Sequence, residues 1–167
     1  MSFSPKRRYS AVAVFSEDLE RVVLIHKLRP NWQAGKANLP GGKVEAEQDY
    51  INANVEDWQG THEEACDEVY RRCARRELRE ETGYDGGEWT HLTTIHPIIS
   101  YSTERIELYV ARKLVMAEAS LEAGEFLEVF TANPVEAMRW VREGLVTDVK
   151  TIIGLFWLEK IQRGEWK

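Results

Sequence analysis

The sequence predicts an α+β fold, and three observations carry that expectation. Segments rich in Val, Ile and Thr stand before and after one long amphipathic helical pattern, two further helical patterns close the chain, and no internal repeat or low-complexity tract breaks the order. At 167 residues, with 43% hydrophobic and 30% charged side chains, the chain has the size and balance of a single domain.

Residues 8–15 and 21–28 carry the Val and Ile of two strands, and Ser16 to Glu20 between them has the length of a hairpin connection. Pro30, Gly35, Pro40, Gly41 and Gly42 mark residues 29–42 as irregular. Residues 61–82 read as one helix, with Thr61 as N-cap, Glu64 completing a capping box and Gly83 ending it. Cys66, Val69, Tyr70, Cys73, Ala74 and Leu78 recur along one face of that helix. Residues 88–99 and 105–114 alternate as strands, and 125–131 as a shorter one. A helical run from Pro134 to Glu143 closes at Gly144. The last helix, 148–162, is expected to bury Val149, Ile152, Ile153, Phe156 and Ile161.

The 22 Lys and Arg against 28 Asp and Glu leave a net charge of −6, which disfavours general nucleic-acid binding, since that rests on clustered positive charge. A small anionic ligand would need metal ions to bind such a chain. No run approaches the ~18 apolar residues of a spanning helix, and no apolar segment follows the basic start, so the expected setting is cytoplasmic, away from membranes. Cys66 and Cys73, about 10 Å apart on a helix, lie beyond disulfide reach and read as small apolar residues. The four histidines have no metal-ligand spacing.

Chemistry concentrates at Arg76-Glu77-Leu78-Arg79-Glu80-Glu81-Thr82-Gly83. Glu77, Glu80 and Glu81, three and four positions apart, share one helix face, where like charges repel. They also sit near a helix C-terminus, which is unfavourable for anions. Ion pairing with Arg75, Arg76 and Arg79 on a solvated face is one explanation. A hard divalent cation is the other, because Mg²⁺, or Mn²⁺ in its place, bridges carboxylates to substrate phosphates. Gly41 and Gly42 in LPGG favour the cation, since paired glycines let backbone carbonyls approach a ligand closely.

GGKVE followed by a helix ending in RELREETG resembles the Nudix box of the Nudix hydrolase family. The second half of that box is complete from Arg76 to Tyr84, whereas the first gap is about twenty residues longer than the family's spacing. The surplus reads as a segment at about 46–60 inserted in one domain spanning 1–167. Counting seven residues back from Arg76 reaches Glu68, the residue in the place of the first box Glu. On a helix starting at Thr61, however, Glu68 and Arg76 would lie about 12 Å apart, so Glu45 is the alternative.

The resemblance implies an α/β/α sandwich with a mixed sheet, and a metal site where the Gly41-Gly42 loop meets the helix end. Glu77, Glu80, Glu81 and the Gly41 carbonyl would hold metal, with Glu77 also counted as catalytic, and Gly42, Arg76 and Glu68 in support. HPIISYSTERIELYVARKL, GEFLEV, NPVEAM and TDVKTIIGLFWL are similar to the C-terminal half of ADP-ribose pyrophosphatases, and Pro97 lies near where that subfamily carries a proline. By that likeness Glu125 is the general base, with Glu128 as runner-up, and ADP-ribose is cleaved to AMP and ribose 5-phosphate. NLPGGKVE and Tyr101 point instead to a nucleoside triphosphate or dinucleoside polyphosphate pyrophosphohydrolase, and a non-catalytic nucleotide-binding Nudix module is a third class. Arg29, Trp32, Lys43 and Arg105 are the expected substrate contacts, Trp32 by stacking and the cations by meeting phosphate. The nucleotide-derived substrate is the expected partner, and a homodimer is compatible with the subfamily.

Overall fold

Ala-Val-Ala-Val-Phe at residues 11–15 places apolar side chains at consecutive positions, the pattern of a strand covered on both faces. This strand is the centre of the molecule. The computed structural model describes residues 7–28, 34–45, 49, 62–117 and 127–166, with side chains from residue 8 in the first strand and from residue 67 in the first helix. The order is β1 (Arg7–Phe15), β2 (Val22–Lys27), β3 (Lys36–Asn38), β4 (Gly41–Lys43), α1 (His62–Thr82), β5 (Tyr84–Ile95), β6 (Glu104–Met116), β7 (Leu127–Ala132), α2 (Pro134–Arg142) and α3 (Val149–Gln162).

Among the described residues the strands form one mixed sheet in the order β3-β2-β1-β6-β5, with β4 paired to β1 and β7 to β2. β1 runs parallel to β6 from Arg7↔Glu104 to Val14↔Ala111. Its other edge is divided: Val14 and Phe15 pair with β2, and Tyr9 to Ala11 pair with β4. Side-chain alternation then builds two cores. Ala11, Ala13, Val22, Leu24, Ile106 and Leu108 pack with Leu155 and Leu158 of α3 and Ala137 of α2. Val12, Val14, Val23, Tyr109 and Ala111 pack with Val69, Tyr70, Cys73, Ala74 and Leu78 of α1. The result is the expected α/β/α sandwich.

Four expectations change. Residues 29–42 hold two short strands, β3 and β4, because Lys36 to Asn38 and Gly41 to Lys43 add to edges left open by β2 and β1. β5 starts at Tyr84 and ends at Ile95, after which residues 97–101 turn back toward β6. Glu128 lies within β7, opposite His26, rather than in a loop before it. α3 buries Thr151, Gly154, Leu155 and Leu158, whereas Val149 and Phe156 are exposed. The described end of α1 agrees with the sequence, since Gly83 adopts φ 75° and donates its amide to the Arg79 carbonyl. Thr61 lies outside the described residues, as does the Cys66 side chain. None of the described helices is long and apolar enough to cross a membrane.

Candidate active site

The C-terminal half of α1 lies against β4, and two glycines set how closely. Gly41 has φ 150°, and a methyl group there would collide with the Ser10 carbonyl and Ala11 Cα of β1. A methyl at Gly42 would overlap the Glu77 carboxylate, so β4 admits that carboxylate only because Gly42 has no side chain. The Gly41 amide donates to Glu81 Oε2 at 2.9 Å. Glu81 is only 1% exposed, and its Oε1 lies 3.1 Å from Lys27 Nζ at the end of β2.

Arg76 ties the remaining parts together. Its Nη1 meets Glu77 Oε1 and Glu80 Oε2, each at 3.0 Å. Nη2 donates to the Lys43 carbonyl at 3.0 Å, and Nε to Asp49 Oδ1 at 3.1 Å. Asp49 is itself buried and accepts the Glu45 amide at 2.7 Å. Asp49 thus fills the supporting place assigned to Glu68 or Glu45. Glu68 instead pairs with Arg71 and Arg72 one turn along its own helix.

Negative charge is in excess here. Burial pushes the Glu77 carboxyl up to about 8; Arg76 opposes the rise, and Glu81 and Glu80 reinforce it. The Arg76 guanidinium is held charged by Asp49 and Glu77 against its own burial. Cys73, buried beneath this junction, has its thiol pushed up to about 12 mainly by burial and is a packing residue rather than a nucleophile. The donor set of three carboxylates beside a glycine-lined strand is that of a hard divalent cation. Among the described residues no three such groups already converge on one point. Arg76 pairs with Glu77 and Glu80, and Lys27 with Glu81, so the carboxylates that could hold a metal are here balanced by the protein's own cations.

A cleft of about 600 Å³ opens beside the junction, lined among others by Tyr9, Lys27, Asn38, Gly41, Pro97 and Lys150. The N-terminus of α3 forms one wall and also anchors the loop entering β4. The Leu39 amide donates to Thr151 Oγ1 at 2.8 Å, and Thr151 Oγ1 donates to Asp148 Oδ2 at 2.6 Å. Asp148 caps α3 through the Thr151 amide at 3.0 Å and accepts Lys150 Nζ at 2.8 Å.

The structure therefore brings Gly41, Gly42, Arg76, Glu77, Glu80 and Glu81 together as expected. Arg105 is not at the cleft: it pairs with Glu107, which also accepts from Thr94, and lies over the Tyr70 ring on the α1 face. Residue parity explains this, since Glu104 and Ile106 of β6 line the cleft while Arg105 points through the sheet. Lys43 is exposed and contributes its carbonyl to Arg76, with no place in the cleft lining. Tyr101 is 92% exposed and lines a separate depression, whereas Pro97 does reach the cleft wall. Arg29, Trp32 and Glu125, with residues 46–60 apart from Asp49, lie outside the described residues. Lys27, Asp49, Asp148 and Thr151 had no motif to announce them.

An α/β/α sandwich that lays a Gly-Gly strand against a helix-borne row of glutamates is the architecture of a Nudix hydrolase. The sequence profile of the NUDIX domain matches residues 5–151, and the chain belongs to this family of enzymes. It is 28% identical over 156 residues to a methanol dehydrogenase activator of Bacillus methanolicus, covering 92% of this chain and 74% of that protein. It is 26% identical over 152 residues to an ADP-ribose pyrophosphatase of Bacillus subtilis (strain 168), covering 89% and 71%. A GDP-mannose pyrophosphatase of Salmonella typhimurium matches at 33% over 90 residues, 52% of this chain and 47% of its own. The crystal structure of an ADP compounds hydrolase superposes with a TM-score of 0.71 at 16% identity, covering 98% of this chain and 76% of that one, a likeness of fold.

Proposed function

We propose that this Nudix hydrolase cleaves the phosphoanhydride of a nucleoside diphosphate linked to a second moiety, with ADP-ribose giving AMP and ribose 5-phosphate as the leading reaction. The observation that carries this is the junction of Gly41 and Gly42 with Glu77, Glu80 and Glu81, beside a cleft that presents the ammonium groups of Lys27 and Lys150. A diphosphate is the ligand that matches both the cations and the metal-ready carboxylates. The ADP-ribose and GDP-mannose pyrophosphatases among its relatives support the same substrate class.

Glu77, Glu80, Glu81 and the Gly41 carbonyl would hold Mg²⁺, which would supply neutralisation of the diphosphate and a more acidic water. The chain's own work is positioning. Arg76 orients Glu77 and Glu80, the Gly41 amide fixes Glu81, and the Thr151 hydroxyl fixes the loop ahead of Gly41. Glu125 is proposed to accept the water proton. Preorganised charge of this kind accounts for most catalysis of phosphoryl chemistry.

The test is a screen of purified protein with Mg²⁺ against ADP-ribose, nucleotide sugars, dinucleoside polyphosphates and nucleoside triphosphates, with products separated by chromatography. Conversion of ADP-ribose to AMP and ribose 5-phosphate is expected, with the Glu81→Gln variant folded but inactive. Release of pyrophosphate from triphosphates as the preferred reaction would overturn the substrate assignment. Full turnover by Glu81→Gln would remove that residue from the site.

A further inference from the structure

We infer that Lys27 is a built-in counter-ion of the carboxylate site: it competes with the divalent cation for Glu81, then turns to the substrate diphosphate once the cation takes that carboxylate. This rests on the metal-dependent reading above. The two oxygens of Glu81 face different groups: Oε2 accepts the Gly41 amide at 2.9 Å, whereas Oε1 lies 3.1 Å from the Lys27 ammonium as an ion pair without hydrogen-bond geometry. The two partners differ in kind. The amide belongs to the β4 backbone, which pairs with β1 and cannot leave without breaking the sheet. Lys27 sits on a flexible four-carbon stem at the last position of β2, with its side chain 26% exposed while that of Glu81 is 1% exposed.

A buried carboxylate without a cation is costly, so the metal-free protein needs Lys27 where it is. A divalent cation arriving at Glu81 reverses the sign of the neighbourhood, since an ammonium a few ångströms from a doubly charged ion is repelled. The displaced group has a direction to go, because Lys27 lines the same cleft as Gly41, Gly42, Asn38 and Lys150. Lys150 is already committed to Asp148 at 2.8 Å, so Lys27 is the cleft ammonium whose present partner the metal would take. Its exchange would couple metal loading to diphosphate binding: the cation that takes Glu81 releases the charge that meets the phosphate.

The measurement is Mn²⁺ affinity, by titration calorimetry or by the spin signal of free Mn²⁺, on wild type, Lys27→Met, Lys27→Arg and the remote control Lys113→Met. Lys113 carries the same charge and pairs with Glu88 on the surface. Lys27→Met is expected to bind Mn²⁺ about three- to tenfold more tightly, tenfold being about 1.4 kcal/mol, and to melt at a lower temperature without metal. Its KM for ADP-ribose should rise more than its kcat falls. Lys27→Arg, which keeps the charge, and Lys113→Met should bind Mn²⁺ as wild type does. Lys27→Gln, which keeps a donor toward Glu81, gives a smaller gain in affinity and is the variant to read should Lys27→Met not fold. Unchanged or weaker Mn²⁺ binding by Lys27→Met and Lys27→Gln, with wild type binding normally, would overturn the competition alone. Absence of Mn²⁺ binding by wild type would overturn both it and the metal reading.

Discussion

Arg76 offers five donors in a rigid fork, and the structure places them on Asp49, Glu77, Glu80 and the Lys43 carbonyl. Asp49→Ala removes the buried acceptor of Arg76 Nε while Glu77 and Glu80 still face the guanidinium, so it should destabilise by about 1–3 kcal/mol, read as a lower urea midpoint. Gly42→Ala tests a different property. The added methyl meets the tip of the flexible Glu77 side chain, so the fold should survive with its melting temperature little changed while Mg²⁺-dependent turnover drops at least about tenfold. The glutamates and glycines of the site were legible because like charges on one helix face and paired glycines need a reason. Asp49 was not, because counting from Gly42 ends one residue short, at Gln48. The acid stands one position later, where the Asp49 amide donates to the Glu45 carbonyl at 2.8 Å. Lys27 was equally silent, for a lysine at a strand end is ordinary until the fold shows what it faces.

At the scale of elements, α3 is as much an anchor for the loop entering β4 as it is a core helix. Its side toward the sheet carries Thr151, 0% exposed, and Gly154, where the Leu39 side chain fits so closely that a methyl group would strike Leu39 Cδ1. Thr151→Val removes the acceptor of the Leu39 amide at equal volume and should cost about 1–3 kcal/mol with reduced turnover, while Thr151→Ser keeps most of both. Asp148 gives a pH signature. Burial opposes its charge, but Lys150 and the Thr151 hydrogen bonds outweigh burial and hold the carboxyl below its usual 3.8. The stabilisation is therefore complete above the unfolded value of about 3.9 and is lost as pH falls below it. Relative to wild type, Asp148→Ala should cost about 1–2 kcal/mol at pH 7, a difference that shrinks in urea melts toward pH 2. Sequence periodicity found α3 and placed Ile152 and Ile153 against the core, but it also counted exposed Phe156 and Val149 and missed Thr151 and Gly154, because a buried threonine and glycine carry no hydrophobic signal. β3 and β4 escaped notice because three residues are too few to show a period.

At the scale of the whole molecule, net charge and site charge act together. The chain carries −6 overall, and Asp49, Glu77, Glu80 and Glu81 gather at the junction of sheet and helix. Anything that binds the native cluster and not the unfolded chain raises stability by mass action, so millimolar Mg²⁺ should raise the melting temperature by several degrees beyond NaCl at equal ionic strength. Equal shifts with both salts would mean general screening in place of binding. The layered architecture was legible because strand segments surround one strongly patterned helix. The route of the sheet was not, since β1 meets β6 in parallel across most of the chain and no local pattern announces so distant a partner.

That pairing has a consequence for how the molecule is made. Residues 7–14 leave a ribosome well ahead of their full-length neighbour, residues 104–111, which follows only after α1 and the loop entering β4 have emerged. Until then β1 has one edge bare and can hold only β2 and β4 on the other. Closing so large a loop is slow compared with forming local turns and helices. During synthesis the strand that later supports Gly41 and Gly42 is a segment in need of shelter from other chains.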